Sequence, residues 1–322
     1  MSGLADRLFE SFAGAALGTF VGDAMGMPVE GWPPDAIRHE YGLLDDLVDG
    51  RFPAGTYTDD TEMMIGLLES LVEADGFDGA TTAQRFLTNF NPNRGYGSRI
   101  YHLMDWLADG TPWDQVGTDS FGNGSAMRVA PVGFYFYYDL ESVKKAAVAQ
   151  AMITHRHPEA LAGAVIQAGA VALSVQAFLK GEVPDPDAFI HTLADLSRDL
   201  DKNSAERLQG LKDISLGEIE SMVPKIGKKY RCNVKAIEAV GPAVWSFLLT
   251  DNFRDAVTLA VNLGHDTDTV GAMAGAIAGA CYGLESIDPD WLAKLENGAL
   301  GRDYVLGLSR RAAEKVARKV VG

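Results

Sequence analysis

Two short acidic motifs, more than 200 residues apart, contain the side chains best suited to chemistry. The first is Thr58-Asp59-Asp60-Thr61 and the second is Asp266-Thr267-Asp268-Thr269. Each motif comes directly before a long helical pattern, so each can present several oxygen atoms from the start of a helix. Clusters made only of oxygen ligands suit hard divalent cations such as Mg²⁺ or Mn²⁺, rather than zinc or copper.

Electrostatics favours considering the two motifs together. Two carboxylates about 4 Å apart repel each other by roughly 4 kcal/mol at an effective dielectric constant of ~20. A helix N-terminus stabilises a negative charge by only about 0.3–1 kcal/mol, which is too little to hold four carboxylates in one cleft. Ordinary N-capping explains either motif by itself. The repeated alternation of Thr and Asp instead predicts a site for two divalent cations between two helix starts.

The segment Gly22–Glu30 leaves a predicted helix through glycines and presents Glu30 after a proline. Glu30 is either part of the site or an exposed side chain at a C-terminal turn. We expect a structural role for Asp23, whose carboxylate can bond backbone groups near that turn.

Three loops contain candidate substrate contacts. Gly122–Arg128 could bind phosphate oxygens through backbone N–H groups, although a plain Asn-Gly turn also explains it, and it lacks the GK[ST] ending of a P-loop. Arg128 is either a phosphate contact or part of a structural ion pair. Arg94–Gly97 places Tyr96 where it could stack on a base, unless the segment is an ordinary surface loop. His155 precedes a helix and belongs either to the site or to local hydrogen bonding.

Helical periodicity dominates and predicts one all-α domain over residues 1–322. The segment Val129–Tyr138 fits either a strand or a buried helix with Pro131 at its start. The polar stretch Asp199–Lys229 is the best candidate for an insertion or a mobile lid. Helices are predicted over residues 4–24, 61–74, 81–90, 98–108, 141–152, 159–180, 187–200, 234–249, 253–263, 269–283 and 302–320.

Two of these helices are rich in small residues. Gly271, Gly275 and Gly279 recur every four residues in the helix after the second acidic motif, and Gly14–Gly22 has a similar character. Each glycine costs about 1 kcal/mol relative to alanine in a helix. A central position with closely approaching neighbours explains that cost, so we predict a packed centre with metal at one end.

Composition excludes several classes of partner. The chain has 28 basic and 44 acidic side chains among 322 residues, a net charge of −16, which makes nucleic acids and anionic membranes poor partners. The two cysteines, Cys232 and Cys281, provide no disulfide framework. The apolar segment Ala160–Leu179 contains polar residues and fits a buried helix better than a membrane span. Because the N-terminus has no signal-peptide pattern, we expect a cytoplasmic protein.

Together these residues resemble the ADP-ribosylglycohydrolase family, which includes the dinitrogenase-reductase-activating glycohydrolases. The resemblance implies a compact, orthogonal multi-helix all-α fold with two Mg²⁺ or Mn²⁺ ions at the base of a cleft. It also implies hydrolysis of the glycosidic bond between ADP-ribose and a protein side chain or small molecule. The matching segments, in order along nearly the whole chain, are Gly22–Glu30, Tyr57–Thr61, Gly122–Gly133, Thr154–Ala160 and Leu263–Gly283.

The resemblance also implies roles for individual residues. Glu30 lies at the metals and gates the cleft, and Asp268 bridges the two ions. The implied metal ligands are Thr58, Asp59 and Asp60 from one side and Asp266, Asp268 and Thr269 from the other. The implied catalytic carboxylates are Glu30, Asp59, Asp60 and Asp268. The implied substrate-binding residues are Asn123, Gly124 and Ser125 along the diphosphate and His155 near the ribose. We add Met127, from the same loop as Asn123, and Tyr96, from its own loop, as candidate substrate contacts.

Two departures from the family pattern bear on the substrate. Many relatives have a small residue directly before the second acidic motif, whereas this chain has His265, which we expect to alter substrate fit or to add a proton-transfer group. Asn91–Gly97 occupies the region where some relatives carry an Asp-Ile-Gly segment. The acceptor is therefore left open among arginine, serine, a nucleic-acid end and a small molecule. The sequence also leaves the oligomeric state open.

Two other functions are compatible with the resemblance. One is an ADP-ribose-binding or structural relative without turnover, like the lens crystallin members of the family. The intact acidic motifs argue against it, because a structural protein does not need mutually repelling carboxylates. The other is a dinuclear phosphoesterase that cleaves the diphosphate and releases AMP.

Overall fold

Helices make up the regular structure of the computed structural model, which describes residues 2–211 and 217–321. Within those ranges no β-strand occurs, and extended segments pair only at two isolated bridges, Thr118 with His155 and Gly122 with Lys235. The prediction of an all-α fold is confirmed. In chain order the α-helices are α1 (Ser2–Gly26), α2 (Pro34–Tyr41), α3 (Asp59–Ala74), α4 (Gly79–Asn89), α5 (Ser98–Ala108), α6 (Trp113–Val116), α7 (Gly124–Met127), α8 (Ala130–Tyr135), α9 (Leu140–Met152), α10 (Pro158–Lys180), α11 (Pro186–Ser197), α12 (Lys202–Leu208), α13 (Ile219–Gly227), α14 (Ala236–Leu248), α15 (Phe253–Val261), α16 (Thr267–Tyr282), α17 (Pro289–Lys294) and α18 (Arg302–Val321).

The helices after the acidic motifs begin earlier than their periodicity predicts. Apolar periodicity places the starts at residues 61 and 269, whereas α3 begins at Asp59 and α16 at Thr267. The first turns are polar, so they add nothing to the apolar pattern. Asp59, Asp60 and Asp268 therefore project from inside a first helical turn, where the N-terminal end of the helix favours negative charge.

Short helices account for most of the structure that periodicity does not predict. The segment Val129–Tyr138, which the sequence leaves open between strand and helix, contains α8. Pro131 lies in the first turn of α8, where the missing N–H breaks no helical hydrogen bond. Helices of one or two turns, such as α2 and α6, are too short to show a clear period.

The centre of the molecule is an antiparallel pair of helices, α1 and α16, in contact through glycines. Gly14, Gly18 and Gly22 of α1 face Gly279, Gly275 and Gly271 of α16, respectively. A Cβ atom added to Gly22 would lie 2.0 Å from the carbonyl oxygen of Gly271. No side chain fits there without separating the helices. The predicted packed centre is confirmed.

The close approach continues to the end of the helix pair. The Thr267 hydroxyl at the start of α16 donates to the carbonyl oxygen of Gly26, at 2.8 Å. Asp23, one turn earlier in α1, accepts hydrogen bonds from the start of α3. Three helix ends therefore meet at one point: the C-terminus of α1 and the N-termini of α3 and α16.

The remaining helices surround this pair. α10 is long and apolar enough to cross a membrane by length and composition, but 78% of its most apolar window is buried inside the protein, as predicted for a core helix. The stretch Asp199–Lys229, predicted as an insertion or lid, includes α12 and α13. Its central part, residues 212–216, lies outside the described residues.

Candidate functional site

A cleft of about 490 Å³ opens where the three helix ends meet. Its base is acidic, and its outer part carries Phe121 and Val234, which are 44% and 63% exposed. The predicted site residues that line it are Glu30, Asp59, Asp60, Asn123, Gly124, Met127, His155, Asp266, Asp268 and Thr269. Three others, Thr58, Ser125 and Tyr96, do not line it. The two acidic motifs therefore meet in space.

Asp23 holds the first acidic motif in place. Its carboxylate is fully buried and accepts hydrogen bonds from the backbone N–H groups of Thr58 and Thr61, at 3.0 and 3.1 Å. The Thr61 hydroxyl donates to the same carboxylate at 2.5 Å. The structural role expected for Asp23 is confirmed, but the backbone groups that it bonds belong to the start of α3 rather than to its own turn. One side chain of α1 thus satisfies donors that the start of α3 would otherwise leave unpaired.

The first motif presents one carboxylate oxygen without a partner. Asp60 is buried, and its Oδ2 atom accepts from the Thr58 hydroxyl at 3.1 Å. Its Oδ1 atom has no hydrogen-bond partner among the described residues. Thr58 lies behind Asp60 and also accepts from the Asp60 N–H as the N-cap of α3. A buried carboxylate oxygen without a donor needs either a proton or a cation.

The second motif contributes the other side of the base. Ligand atoms of Glu30, Asp266 and Asp268 all lie within 4.8 Å of one another. Asp266 accepts from the Asn123 side-chain amide at 2.6 Å, and its backbone N–H donates to the carbonyl oxygen of Cys232 at 2.9 Å. Two loops remote in sequence therefore fix the position of Asp266.

Burial and mutual repulsion both act on these carboxyl groups. Burial, followed by repulsion from Asp23, raises the pKa of Asp59 to about 8. Burial also raises the pKa of Asp266 to about 6, against the hydrogen bond from Asn123. The pKa values of Asp60 and Asp268 are raised well above the usual range, again by burial first and by neighbouring carboxylates second. Such groups favour a proton or a bound cation over the free carboxylate.

The donor set fits hard divalent cations. The side chains at the base offer only carboxylate and hydroxyl oxygens, which are the preferred ligands of Mg²⁺ and Mn²⁺. The unpartnered Asp60 Oδ1 atom and the raised carboxyl pKa values both indicate that a bound cation would stabilise these carboxylates.

Arg51 supplies a positive charge that the sequence motifs do not reveal. Its guanidinium forms an ion pair with Glu30 and donates to the Oδ2 atom of Asp268 at 3.3 Å. It comes from the loop between α2 and α3, outside both acidic motifs. Only the fold brings it to the base of the cleft.

His265 does not enter the cleft, contrary to the expectation that its side chain acts beside the metals. The side chain is exposed and lines a separate cavity with Tyr230 and Cys232. The backbone of His265, in contrast, has a structural role. Its N–H donates to the carbonyl oxygen of Trp32 at 2.7 Å, and its own carbonyl oxygen accepts from Gly31 at 2.6 Å. This pair of bonds connects the segment after Glu30 to the second motif.

The middle of the cleft contains a neutral histidine held by hydrogen bonds. His155 is buried, and burial, with the nearby charge of Arg128, lowers its pKa to about 3, so its imidazole is neutral. The Thr154 hydroxyl bonds the Nδ1 atom of His155 at 2.7 Å and accepts from Arg128 at 2.8 Å. Arg128 is fully buried, borders the cleft and also donates to Gln150, so hydrogen bonds within the protein hold its guanidinium.

Two predicted substrate contacts occupy other positions. Tyr96 is buried against Phe90, and its hydroxyl donates to Glu62 at 2.8 Å, so the ring cannot stack on a base as expected. The Ser125 hydroxyl points into the core and donates to Ala160. Phe121 is the exposed aromatic residue of the cleft instead. Its position directly before Gly122-Asn123 is the signal that could have identified it.

Comparisons with known proteins agree with this geometry. A family model described as ADP-ribosylglycohydrolase matches residues 4–320. The chain is 32% identical to the ADP-ribosylhydrolase ARH3 of Gallus gallus, over 87% of each protein. It is 30% identical to the ADP-ribosylarginine hydrolase Tri1 of Pseudomonas putida, over 90% of this chain and 75% of the relative.

A solved structure gives the same result for the fold. A protein described as "ADP-ribosylglycohydrolase-related protein complex" superposes with a TM-score of 0.77 and 27% identity, covering 97% of this chain and 99% of its own. The match of the family model, the identity to named relatives and the shared fold all extend over nearly the whole chain. The chain therefore belongs to the ADP-ribosylglycohydrolase family.

Proposed function

We propose that this protein hydrolyses the glycosidic bond that joins ADP-ribose to an acceptor, and that it needs two divalent cations to do so. One observation carries the proposal: both acidic motifs reach the base of a single cleft, where the buried Asp60 Oδ1 atom has no partner among the described residues. Relatives named as ADP-ribosylhydrolases support the reaction.

The residues that would hold the cations are those at the acidic bottom of the cleft. Asp59, Asp60, Asp266, Asp268 and Thr269 line it directly, and Thr58 joins them through the hydroxyl that bonds Asp60. Bound Mg²⁺ or Mn²⁺ would supply Lewis-acid charge, which binds sugar hydroxyls and lowers the pKa of water.

The protein's own groups have three tasks in this reaction. Asn123, Gly124 and His155 line the middle of the cleft and orient the substrate toward the acidic base. Phe121 offers a ring face on the outer part, suited to a planar base. A carboxylate at the bottom of the cleft (Glu30, Asp59 or Asp60) acts as the general base and accepts the proton of the attacking water, as in other glycoside hydrolysis.

The same carboxylates stabilise the reacting sugar. Attack on the anomeric carbon develops positive charge on the ring, and negative groups at the base of the cleft favour that charge. As the water oxygen bonds to the anomeric carbon, the C–O or C–N bond to the acceptor breaks and the proton lost by the water is balanced by one taken up by the leaving atom. The products are ADP-ribose and the free acceptor.

The direct test uses chelator-treated protein with and without Mg²⁺ or Mn²⁺. Arginine-linked and serine-linked ADP-ribosyl peptides are offered, and products are identified by mass. We expect ADP-ribose to appear only when metal is added, and the peptide that reacts names the linkage. AMP as the product would show a phosphoesterase instead. Tight ADP-ribose binding without release from either peptide would favour another acceptor or a binding protein without turnover.

A further inference from the structure

Arg51 is placed against two carboxylates of the acidic base. One guanidinium nitrogen forms an ion pair with Glu30, and another lies 3.3 Å from the Oδ2 atom of Asp268. Arg51 and Glu30 are 37% and 36% exposed, whereas Asp268 is only 5% exposed. The guanidinium therefore connects an exposed carboxylate to a buried one. A planar, forked cation is well suited to join two carboxylates in this way.

The loop that carries Arg51 is closely packed. A Cβ atom added to the preceding residue, Gly50, would lie 2.4 Å from the Cα atom of Pro28, in the turn that leads to Glu30. Gly50 also donates to the carbonyl oxygen of Phe52 at 2.9 Å. On its other side the guanidinium faces Gly95, where an added Cβ atom would lie 2.9 Å from a nitrogen of Arg51. The backbone on both sides thus directs Arg51 toward Glu30 and Asp268.

A guanidinium at this position opposes a divalent cation in two ways. It occupies carboxylate oxygens of Glu30 and Asp268, and its charge raises the local electrostatic potential for any second cation. Both effects have the same sign, so we expect the removal of Arg51 to favour metal binding. The same contact offsets repulsion between Glu30 and the Asp266–Asp268 pair while no metal is bound.

We propose that Arg51 is a positioning residue that holds Glu30 against Asp268 before metal binds and sets the metal affinity by competing with the cation. The proposal rests on the metal centre of the proposed function. On this proposal, a divalent cation that binds at Glu30 and Asp268 replaces the guanidinium of Arg51. The acidic base is therefore kept in order when metal is absent, at the expense of weaker metal binding.

The test is a calorimetric titration of Mn²⁺ into chelator-treated protein, for the wild type and three variants. We expect Arg51→Gln to bind Mn²⁺ roughly ten- to a hundredfold more tightly, because a nearby positive charge is lost. Arg51→Lys keeps the charge but loses the fork that joins Glu30 to Asp268, so its Mn²⁺ affinity should lie between those of the wild type and Arg51→Gln. The control is Arg85→Gln, which removes an arginine of similar exposure (35%) paired with Glu73 outside the cleft, and should leave Mn²⁺ affinity unchanged.

A second measurement separates competition from misfolding. Without metal, Arg51→Gln should melt at a lower temperature than the wild type, and saturating Mn²⁺ should raise its melting temperature by more. Unchanged or weaker Mn²⁺ binding in Arg51→Gln, or an equal gain in Arg85→Gln, overturns the proposal. If the wild type releases ADP-ribose with metal and Arg51→Gln binds no more tightly, only the role of Arg51 fails. If neither binds Mn²⁺, the metal centre fails with it.

Discussion

The two acidic motifs reach the same cleft but are held by different means. The first is held by a side chain, since the buried Asp23 carboxylate accepts from Thr58 and Thr61. The second is held largely by backbone groups, through the bonds of His265 with Gly31 and Trp32 and the bond from Asp266 to Cys232. Two side-chain bonds, from Asn123 to Asp266 and from Thr267 to Gly26, add to them. His265 and Cys232 make their backbone bonds with positive φ angles of 65° and 47°.

This difference predicts different sensitivities to mutation. A motif held by one carboxylate depends on the identity of that residue, whereas a motif held by backbone groups depends on the conformations its residues can adopt. The first should therefore fail when Asp23 is changed. The second should tolerate many side chains but not those that disfavour positive φ.

The largest effect should come from the carboxylates themselves. Asp268→Asn and Asp60→Asn each remove a negative oxygen from the acidic base, and we expect ADP-ribose release to fall by roughly 10³-fold or more. Circular dichroism should show an intact helical fold, since neither residue is needed for packing. The matched control is Asp290→Asn, an exposed carboxylate elsewhere, which should remain fully active. Retained activity in Asp268→Asn would contradict the metal assignment.

The next largest effect should be on stability, at Asp23. Asp23→Ala leaves two backbone N–H groups and a hydroxyl unpaired in a buried place, which should cost about 3–5 kcal/mol of unfolding free energy. Asp23→Asn should cost less, because burial already raises the pKa of Asp23 to about 6 and the amide still offers one acceptor oxygen. Urea unfolding measures both. Equal costs for the two variants would show that the charge, rather than the acceptor, holds the motif.

The dependence of stability on pH compares a carboxyl group at the bottom of the cleft, Asp59, with the histidine in its middle, His155. In chelator-treated protein the pKa of Asp59 is raised to about 8, so the folded state binds a proton more tightly than the unfolded state, and stability falls as pH rises from about 4 to 8. His155 has the opposite sign. Its pKa is lowered to about 3, so stability is lost as pH falls from about 6.5 toward 3.

Melting temperatures between pH 4 and 9 test this prediction. We expect a maximum below neutral pH, since each group opposes folding on a different side. His155→Gln should lose less stability at the acid end, whereas Asp59→Asn should lose less at the alkaline end. Saturating Mn²⁺ should reduce the alkaline loss in the wild type, because a bound cation replaces the proton. A profile unaffected by either substitution would assign the pH dependence to other groups.

The smallest effect should come from the backbone-held motif. His265→Gly removes a residue that is unfavourable at a φ of 65°, but glycine also makes the unfolded chain more flexible, so we expect a gain of at most about 1 kcal/mol with full activity. His265→Val should lose about 1–2 kcal/mol, because a β-branched residue fits this conformation poorly. Loss of activity in His265→Gly would show instead that the imidazole takes part in the reaction.

Local sequence patterns predict the residues of the site better than their surroundings. Asp60 and Asp268 are predictable because matching pairs of carboxylates at two helix starts exceed what N-capping requires. A structural role for Asp23 is also predictable, but its partners are not, because they lie 35 and 38 residues further along the chain. The contact of Arg51 with Glu30 and Asp268 is not predictable, because it depends on how the loop before α3 packs on Pro28. The burial of Tyr96 depends on Glu62, which periodicity marks only as part of a helix.

The same reasoning explains the error at His265. The sequence places His265 next to a predicted metal ligand, but the direction of its side chain decides whether it takes part in the site. The positive φ turns the side chain of His265 out of the cleft. The sequence does not reveal a positive φ at a residue other than glycine, because such residues rarely adopt it. Backbone conformation at such a residue has to be observed.

The glycine contact between α1 and α16 also limits when a growing chain can complete the proposed cation site. Gly26 and Thr267, whose groups bond at the end of this contact, are 241 residues apart. At ~5–20 residues per second, α1 leaves the ribosome roughly 10–50 s before the first residues of α16. During that interval the side chains of Asp266 and Asp268 do not yet exist. The proposed cation site can thus form only once synthesis has passed the second motif.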